Sequence, residues 1–332
     1  MKLASYKDGT RDGQLVVVSR DLSMAHYATG TAHTLAQVLD DWNFISPQLQ
    51  DLSVTLNQGK ARHAFPFDPR MCMAPMPRAR QWLHVPLGAE QLQPQKRPAL
   101  VAGDASQLQG AHAALGLNPE AVELDLEAQW AVVCGDVAQG AKPTEALEGV
   151  RLIMLAADMV WRQLEADGAL PALASRPATV FAPVAVTPDE LGEAWQGGRV
   201  GLPLQVAING RKLGLCDGAD MPYGAGQLLA QACASRALST GAVVGMGPWL
   251  SPDATGAHNY PKGGTCLAHR RAIENASSGV PSTPWLQAAD GVRLEAKGRD
   301  GHSVFGAIEL RVGHVPVLPV AAEPGTPSAE AL

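Results

Sequence analysis

The sequence predicts an α+β chain that is mostly β, and three stretches carry the prediction. In residues 124–136, LDLEAQWAVVCGD, apolar Leu124, Leu126, Trp130 and Val132 alternate with Asp125, Glu127 and Gln129. A period of two sends successive side chains to opposite faces of a strand, so Glu127 and Gln129 point the same way. Residues 150–158, VRLIMLAAD, are almost wholly apolar until Asp158, as in a strand buried on both faces that ends in a carboxylate. Asn209-Gly210, set between residues 204–208 and 211–215, is the pair that a two-residue hairpin turn requires.

The remaining elements follow in chain order. Residues 1–19 read as a β-hairpin, with Asp8-Gly9 and Asp12-Gly13 as turn material. Leu35, Val38, Leu39 and Trp42 share one face of a helix. A second helix is expected from Ser46 as N-cap and Pro47 at its first position, with Leu49, Leu52 and Leu56 on one face and a stop at Gly59. The proline-rich run FPFDPRMCMAPMPRAR then closes a small α+β unit, residues 1–78. Residues 83–120 have weak periodicity, and His84 and Asp104 read there as solvated loop side chains. A short helix is expected over 159–166, ending near Gly168, then a strand within SRPATVFAPVAV. Thr187-Pro188-Asp189-Glu190 has the spacing of a capping box, and 227–238 that of an amphipathic helix closed near Gly241. Residues 242–247, 292–296 and SVFGAIEL complete the strands of a unit spanning 79–315. The Pro- and Ala-rich tail, 316–332, is too poor in large apolar side chains to pack and is expected to be disordered.

Composition narrows the class of function. The 332 residues carry a net charge of −6 and 46% hydrophobic residues, which is a globular balance. No basic block offers a nucleic-acid or anionic-membrane footprint, and no apolar run reaches membrane-spanning length. Five scattered cysteines without CxxC spacing fit reduced, buried thiols in a cytoplasm better than disulfides or a zinc site.

Glu127, Gln129 and Asp158 form the chemical centre of this reading. Glu-x-Gln followed by Gly-Asp, and about 30 residues on a strand ending in Asp, resembles the fumarylacetoacetate hydrolase family in a bacterial branch. MKLASYKDGTRDGQLVVVSRDL, HAFPFDPRMCMAPMPRARQW, RPATVFAPVAVTPDELGEAW and SVFGAIEL support the same resemblance in matching order. It implies a β-roll or sandwich-like catalytic domain after a small N-terminal domain, in a homodimer. It also implies a divalent ion, usually Mg2+, with Mn2+ or Ca2+ as alternatives, held by carboxylates and chelating a 1,3-dicarbonyl substrate.

Glu127 and Asp158 fall on two of the implied ligand positions, and Gln129 falls on a third that the family fills with Glu. An earlier acidic ligand and a catalytic histidine have no counterpart at a matching position. Arg176 stands where the family has lysine, Pro248 where it has threonine, and His269 where the bacterial branch has Glu. At an effective dielectric of about 20, unit charges about 4 Å apart interact by roughly 4 kcal/mol, so a missing carboxylate weakens ion binding by orders of magnitude. Taken without the resemblance, Glu127 and Gln129 also read as a solvated strand face and Asp158 as a helix N-cap before Met159.

Three functions follow as expectations. The chain is a diverged enzyme that hydrolyses, decarboxylates or isomerises a small 2,4-diketo acid or related oxo acid. Alternatively, it is a catalytically impaired relative serving as a subunit or scaffold, in a heteromer with an intact family member. The third is metal-free chemistry at His269 or His84. No nucleic-acid or membrane partner is expected.

Overall fold

The computed structural model describes residues 1–87, 97–117, 123–167, 175–258 and 262–314. The predicted disordered tail, and Gly168 at the end of the expected short helix, lie outside them.

The chain opens with β1 (Lys2–Tyr6), β2 (Gln14–Val18) and β3 (Met24–Tyr27), then α1 (Leu35–Asp40) and α2 (Trp42–Asn57). β4 (Phe65–Pro66), β5 (Gln81–His84), β6 (Val101–Gly103) and β7 (Ala114–Leu117) lead to the long β8 (Leu124–Cys134). After α3 (Pro143–Glu148) comes the equally long β9 (Val150–Trp161), then α4 (Arg162–Asp167), β10 (Ala178–Phe181) and β11 (Ala185–Val186). α5 (Pro188–Leu191), β12 (Trp195–Gln196), β13 (Arg199–Val200), β14 (Pro203–Ile208) and β15 (Arg211–Asp217) follow. The chain continues with α6 (Ala225–Ala232), β16 (Ala242–Gly245), β17 (Leu250–Ser251), β18 (Gly263–Gly264) and α7 (Leu267–Ser278). β19 (Gly291–Ala296) and β20 (Ile308–His314) end it, and the mostly β, α+β class is as expected.

An 11-stranded sheet runs in the order β4-β3-β2-β1-β11-β9-β8-β16-β5-β6, with β10 paired to β9 off this path. The N-terminal hairpin therefore belongs to the same sheet as the central strands, because Lys2 and Leu3 on β1 pair with Val186 and Ala185 on β11. A five-stranded sheet, β15-β14-β19-β20-β7, covers one face. β8 and β9 are antiparallel along nearly their whole length, with Glu127 opposite Asp158.

Apolar side chains leave the central strands on both sides. Leu126, Trp130 and Val132 from β8, with Ile153 and Leu155 from β9, pack towards Leu204, Leu294 and Ile308 of the smaller sheet. Ala131, Val133, Leu152 and Met154 point the other way, beneath Leu35, Val38, Leu49 and Leu56 of α1 and α2. Glu127 and Gln129 share the parity of Ala131, and Asp158 that of Met154, so all three leave the sheet on the second face.

Several boundaries differ from the sequence reading for identifiable reasons. α2 starts at Trp42, and Pro47 lies inside it, so the turn before Ser46 is already helical. The expected helix over 159–166 forms only from Arg162, as α4, because Met159, Val160 and Trp161 of β9 still pair with Leu126, Asp125 and Leu124. Asp158 is thus a mid-strand residue rather than a strand terminus or helix N-cap. The capping box at Thr187 does not form. The Thr187 hydroxyl instead accepts from the N-terminal amine of Met1, and Glu190 pairs with that amine. α6 ends at Ala232, short of Leu238, and the last strand begins at Ile308 rather than at Ser303. α7 was not foreseen, although Arg270 and Glu274 at i,i+4 and Gly279 in the left-handed region mark it.

The two glycines flanking Met246 make space above the sheet. A Cβ on Gly245 would lie 2.3 Å from Gln129 Oε1 and 2.7 Å from Trp82 Cη2. Gly245→Ala is therefore expected to lower stability by about 1–3 kcal/mol, as overpacking does. Urea unfolding checks this, and an unchanged midpoint would show that Gln129 is not held against the strand.

Candidate active site

Five neighbouring strands bring the polar groups together. Thr179 on β10 lies opposite Asp158 on β9, which lies opposite Glu127 on β8; β16 then intervenes, and β5 follows with His84 at its end. Glu127, Gln129, Asp158 and His84 are all 0% exposed. The readings of Glu127 and Gln129 as a solvated face, and of His84 as a loop side chain, are both overturned. Asp104 is exposed, with its carboxylate accepting from the Ser106 backbone and hydroxyl, as expected for a loop.

Buried carboxylates need partners, and arginines supply them. Arg176 Nη1 donates to Glu127 Oε2 at 2.7 Å and lies 3.5 Å from Asp158 Oδ2, while its Nη2 donates to Glu165 Oε1 at 2.9 Å. Arg162 Nη1 lies 2.8 Å from Glu127 Oε1, and its Nε and Nη2 donate to Asp125 Oδ2 at 2.9 and 2.8 Å. Asp125 also accepts from the Leu267 and Ala268 backbone, which fixes the start of α7. Arg162, Asp125 and Glu165 were not singled out from the sequence. The signal available was Arg162 and Glu165 spaced i,i+3 just past an apolar strand.

Gln129 donates from Nε2 to Asp158 Oδ2 at 3.1 Å and accepts from Gly247 N–H at 3.2 Å. A backbone N–H only donates, so this bond assigns the amide orientation and turns the NH2 end towards Asp158. Asp158 Oδ1 accepts from the Thr179 hydroxyl. His269 sits on the first turn of α7 with its ring against Gly264. Pro248 follows Gly247, the residue whose N–H holds Gln129.

Two buried groups retain unused hydrogen-bonding capacity. Neither ring nitrogen of His84 makes a well-aligned hydrogen bond, although the Val85 backbone lies near enough to act on its protonation and Nδ1 lies 3.8 Å from Asp158 Oδ2, and Arg176 Nε likewise donates to nothing. Burial holds the His84 pKa below the usual histidine value, against the pull of Asp158, so the ring is neutral near pH 7. Burial alone would raise Glu127, but Arg176 and Arg162 outweigh it and bring its pKa down to about 2.

His84, Glu127 and Asp158 form a group that could hold a divalent ion, offering one ligand atom each within 4.8 Å of one another. The donor chemistry fits such an ion: two carboxylates and a neutral imidazole with free nitrogens suit Mn2+, and the carboxylates suit Mg2+. Charge also fits, since Asp125, Glu127, Asp158 and Glu165 face only Arg162 and Arg176 across these contacts. Gln129 does not extend the set, because its amide turns its NH2 group rather than its carbonyl towards Asp158.

A mixed-β fold with a buried Glu and Asp on adjacent strands, and a buried His two strands beyond Glu127 in the same sheet, defines the site, and comparison gives its family. The family model described as "Fumarylacetoacetate (FAA) hydrolase C-terminal" matches residues 79–313, and "Fumarylacetoacetase N-terminal domain 2" matches 1–78. The chain belongs to the fumarylacetoacetate hydrolase family.

Solved structures share the fold. A fumarylacetoacetate hydrolase from Exiguobacterium antarcticum is 15% identical with TM-score 0.65, covering 95% of this chain and 100% of its own. A maleylpyruvate hydrolase from Sphingobium sp., in complex with manganese (II) ion and pyruvate, is 16% identical with TM-score 0.64, covering 95% and 99%. A 5-carboxymethyl-2-hydroxymuconate delta-isomerase from Mycobacterium smegmatis is 14% identical with TM-score 0.60, again covering 95% and 99%. No curated protein matches the chain.

The depressed Glu127 pKa sets a pH dependence. With an ordinary value of 4.5 and a folded value of about 2, Glu127 contributes stability that is fully present above pH 4.5 and lost as pH falls through about 2. The contribution is roughly 3 kcal/mol at neutral pH. Urea unfolding of the chain and of Glu127→Gln between about pH 6 and pH 2 checks it. The variant is expected to lose less stability on acidification, and parallel profiles would contradict the assignment.

Proposed function

We propose that the chain is an enzyme of the fumarylacetoacetate hydrolase type acting on a small oxo acid, by hydrolysis of a carbon–carbon bond or by isomerisation. The observation that carries this reading is the unused bonding capacity of His84 and Arg176 beside Glu127 and Asp158. A buried polar group without a partner costs about 1–3 kcal/mol, which a purely structural role does not repay and a bound anionic ligand does.

Each residue has a role in this reading. Arg176 Nε–H binds a carboxylate or enolate oxygen of the substrate, while Glu165 keeps the guanidinium in place. Neutral His84 accepts a proton, from water in the hydrolytic case or from a carbon next to a carbonyl in the isomerising case. In hydrolysis the water oxygen bonds to the carbonyl carbon, the adjacent carbon–carbon bond breaks, and its electron pair leaves as an enolate that then takes up a proton. Gln129 and Thr179 keep Asp158 oriented towards His84. A divalent ion held by Glu127 and Asp158 would supply Lewis-acid stabilisation to an oxo-acid substrate, with the His84 ring left free as the base. The manganese and pyruvate in the maleylpyruvate hydrolase structure support Mn2+ as the first ion to test, ahead of Mg2+ or Ca2+.

A second reading, a catalytically silent relative acting as a subunit, is favoured by one observation. Gln129 closes Asp158 with an amide donor, and every acidic group at the site is already paired. The homodimer, the heteromer with an intact relative and the cytoplasmic location remain proposals; five free thiols support a reducing compartment.

Turnover separates the two readings. With Mn2+ present, loss of the enol absorbance of acylpyruvates is expected for the natural chain and a fall of about 100-fold or more for His84→Asn. No turnover by the natural chain, with turnover appearing in Gln129→Glu, would favour the silent reading.

A further inference from the structure

The side chain that excludes a cation from this site is itself a cation. An ion joining Glu127 to Asp158 must approach Glu127 Oε2 and Asp158 Oδ2 to about 2.0–2.6 Å. Arg176 Nη1 already stands 2.7 Å from the first and 3.5 Å from the second. A divalent ion and this guanidinium nitrogen cannot occupy the same space, and their like charges repel.

The arginine also has a second berth. Its Nη2 is held by Glu165 on α4, a residue with 28% of its side chain exposed, and its Nε carries no bond that would have to break. Rotation about the outer bonds of the side chain can therefore release Glu127 and Asp158 while the Glu165 contact persists. Gln129 fits the same arrangement. Its NH2 group serves an Asp158 whose main positive neighbour is a single charge, where a second carboxylate would need a doubly charged one.

We propose that Arg176 is the resident counter-cation of the Glu127–Asp158 pair and that a divalent ion binds only by displacing its guanidinium towards Glu165. The proposal rests on the reading of His84, Glu127 and Asp158 as the functional site. It makes this site's metal affinity a competition between an internal and an external cation. Ion occupancy is then set by Arg176 as much as by the ligands.

The test is direct Mn2+ titration of the purified full chain after chelator treatment, read by the free-ion electron paramagnetic resonance signal. The natural chain, Arg176→Gln and Arg176→Lys are compared, with a thermal melt of each with and without Mn2+. Arg176→Gln is expected to bind roughly 10- to 100-fold more tightly than the natural chain, the range of a strong coupling between sites. It is also expected to gain more melting temperature from the ion. Should Arg176→Gln fail to fold without Mn2+, folding in its presence supports the proposal, and failure in both conditions overturns it. Arg176→Lys, which keeps the charge but not the two-pronged reach, is expected to fall between.

Equal affinity in the natural chain and Arg176→Gln overturns the competition while leaving the site reading intact. Tight binding by Arg176→Gln, with no oxo acid turned over by any form, keeps the competition and removes the enzymatic reading. Binding by none of the three overturns the proposal.

Discussion

Glu127, a carboxylate with no exposure to solvent, is held between two guanidinium groups. Burying an ion costs several kcal/mol after relaxation, and attraction offsets that only when the geometry is good and the remaining donors are used. Here the partners come from three places in the chain. Glu127 is on β8, Arg162 opens α4 and Arg176 precedes β10. Arg162 reaches on to Asp125, which caps the start of α7 through Leu267 and Ala268. One buried charge thereby fixes the relative positions of two helices and three strands. Removing either arginine would leave a charge without compensation, so the network stands or falls together.

The same network shapes what the site can do. Donors and acceptors fixed before a ligand arrives need no reorganisation when charge develops on it, and that is the main source of electrostatic catalysis. Two guanidiniums beside the ionised Glu127 provide a preset field, and His84 adds a neutral ring whose burial keeps it unprotonated. The network also limits the site. With Asp158 engaged by Gln129, Thr179 and Arg176, and Glu127 by both arginines, each acidic group must give up a partner before it meets another cation. Membership of the family fixes the fold; the balance between these partners sets what the acidic groups of the site are free to meet.

Much of the fold was legible in local pattern, and the limits of that legibility are physical. Period-two alternation placed Glu127 and Gln129 on one face because a strand reports its faces through adjacent residues. Asn209 and Gly210 take φ of +50° and +75°, as their turn requires. By contrast, β9 runs three residues past Asp158, because pairing with β8 outweighs the stop that a charged residue suggests. His84 was hidden because it reaches Asp158 across two intervening strands, and nothing in WLHVPLG records that neighbour. Thr187 looks like a helix cap, yet a chain terminus 186 residues away takes its hydroxyl. Arg162 escaped notice because its value lies in a bidentate grip on Asp125 that sequence spacing does not encode.

The central claim is that an arginine, rather than a solvated or empty space, satisfies the Glu127–Asp158 pair. A crystal structure of the chelator-treated full chain tests it most directly. The account predicts Arg176 Nη1 within hydrogen-bonding distance of Glu127 Oε2, with the guanidinium also on Glu165. A guanidinium turned to solvent, leaving Glu127 and Asp158 bonded only to ordered water, would contradict it.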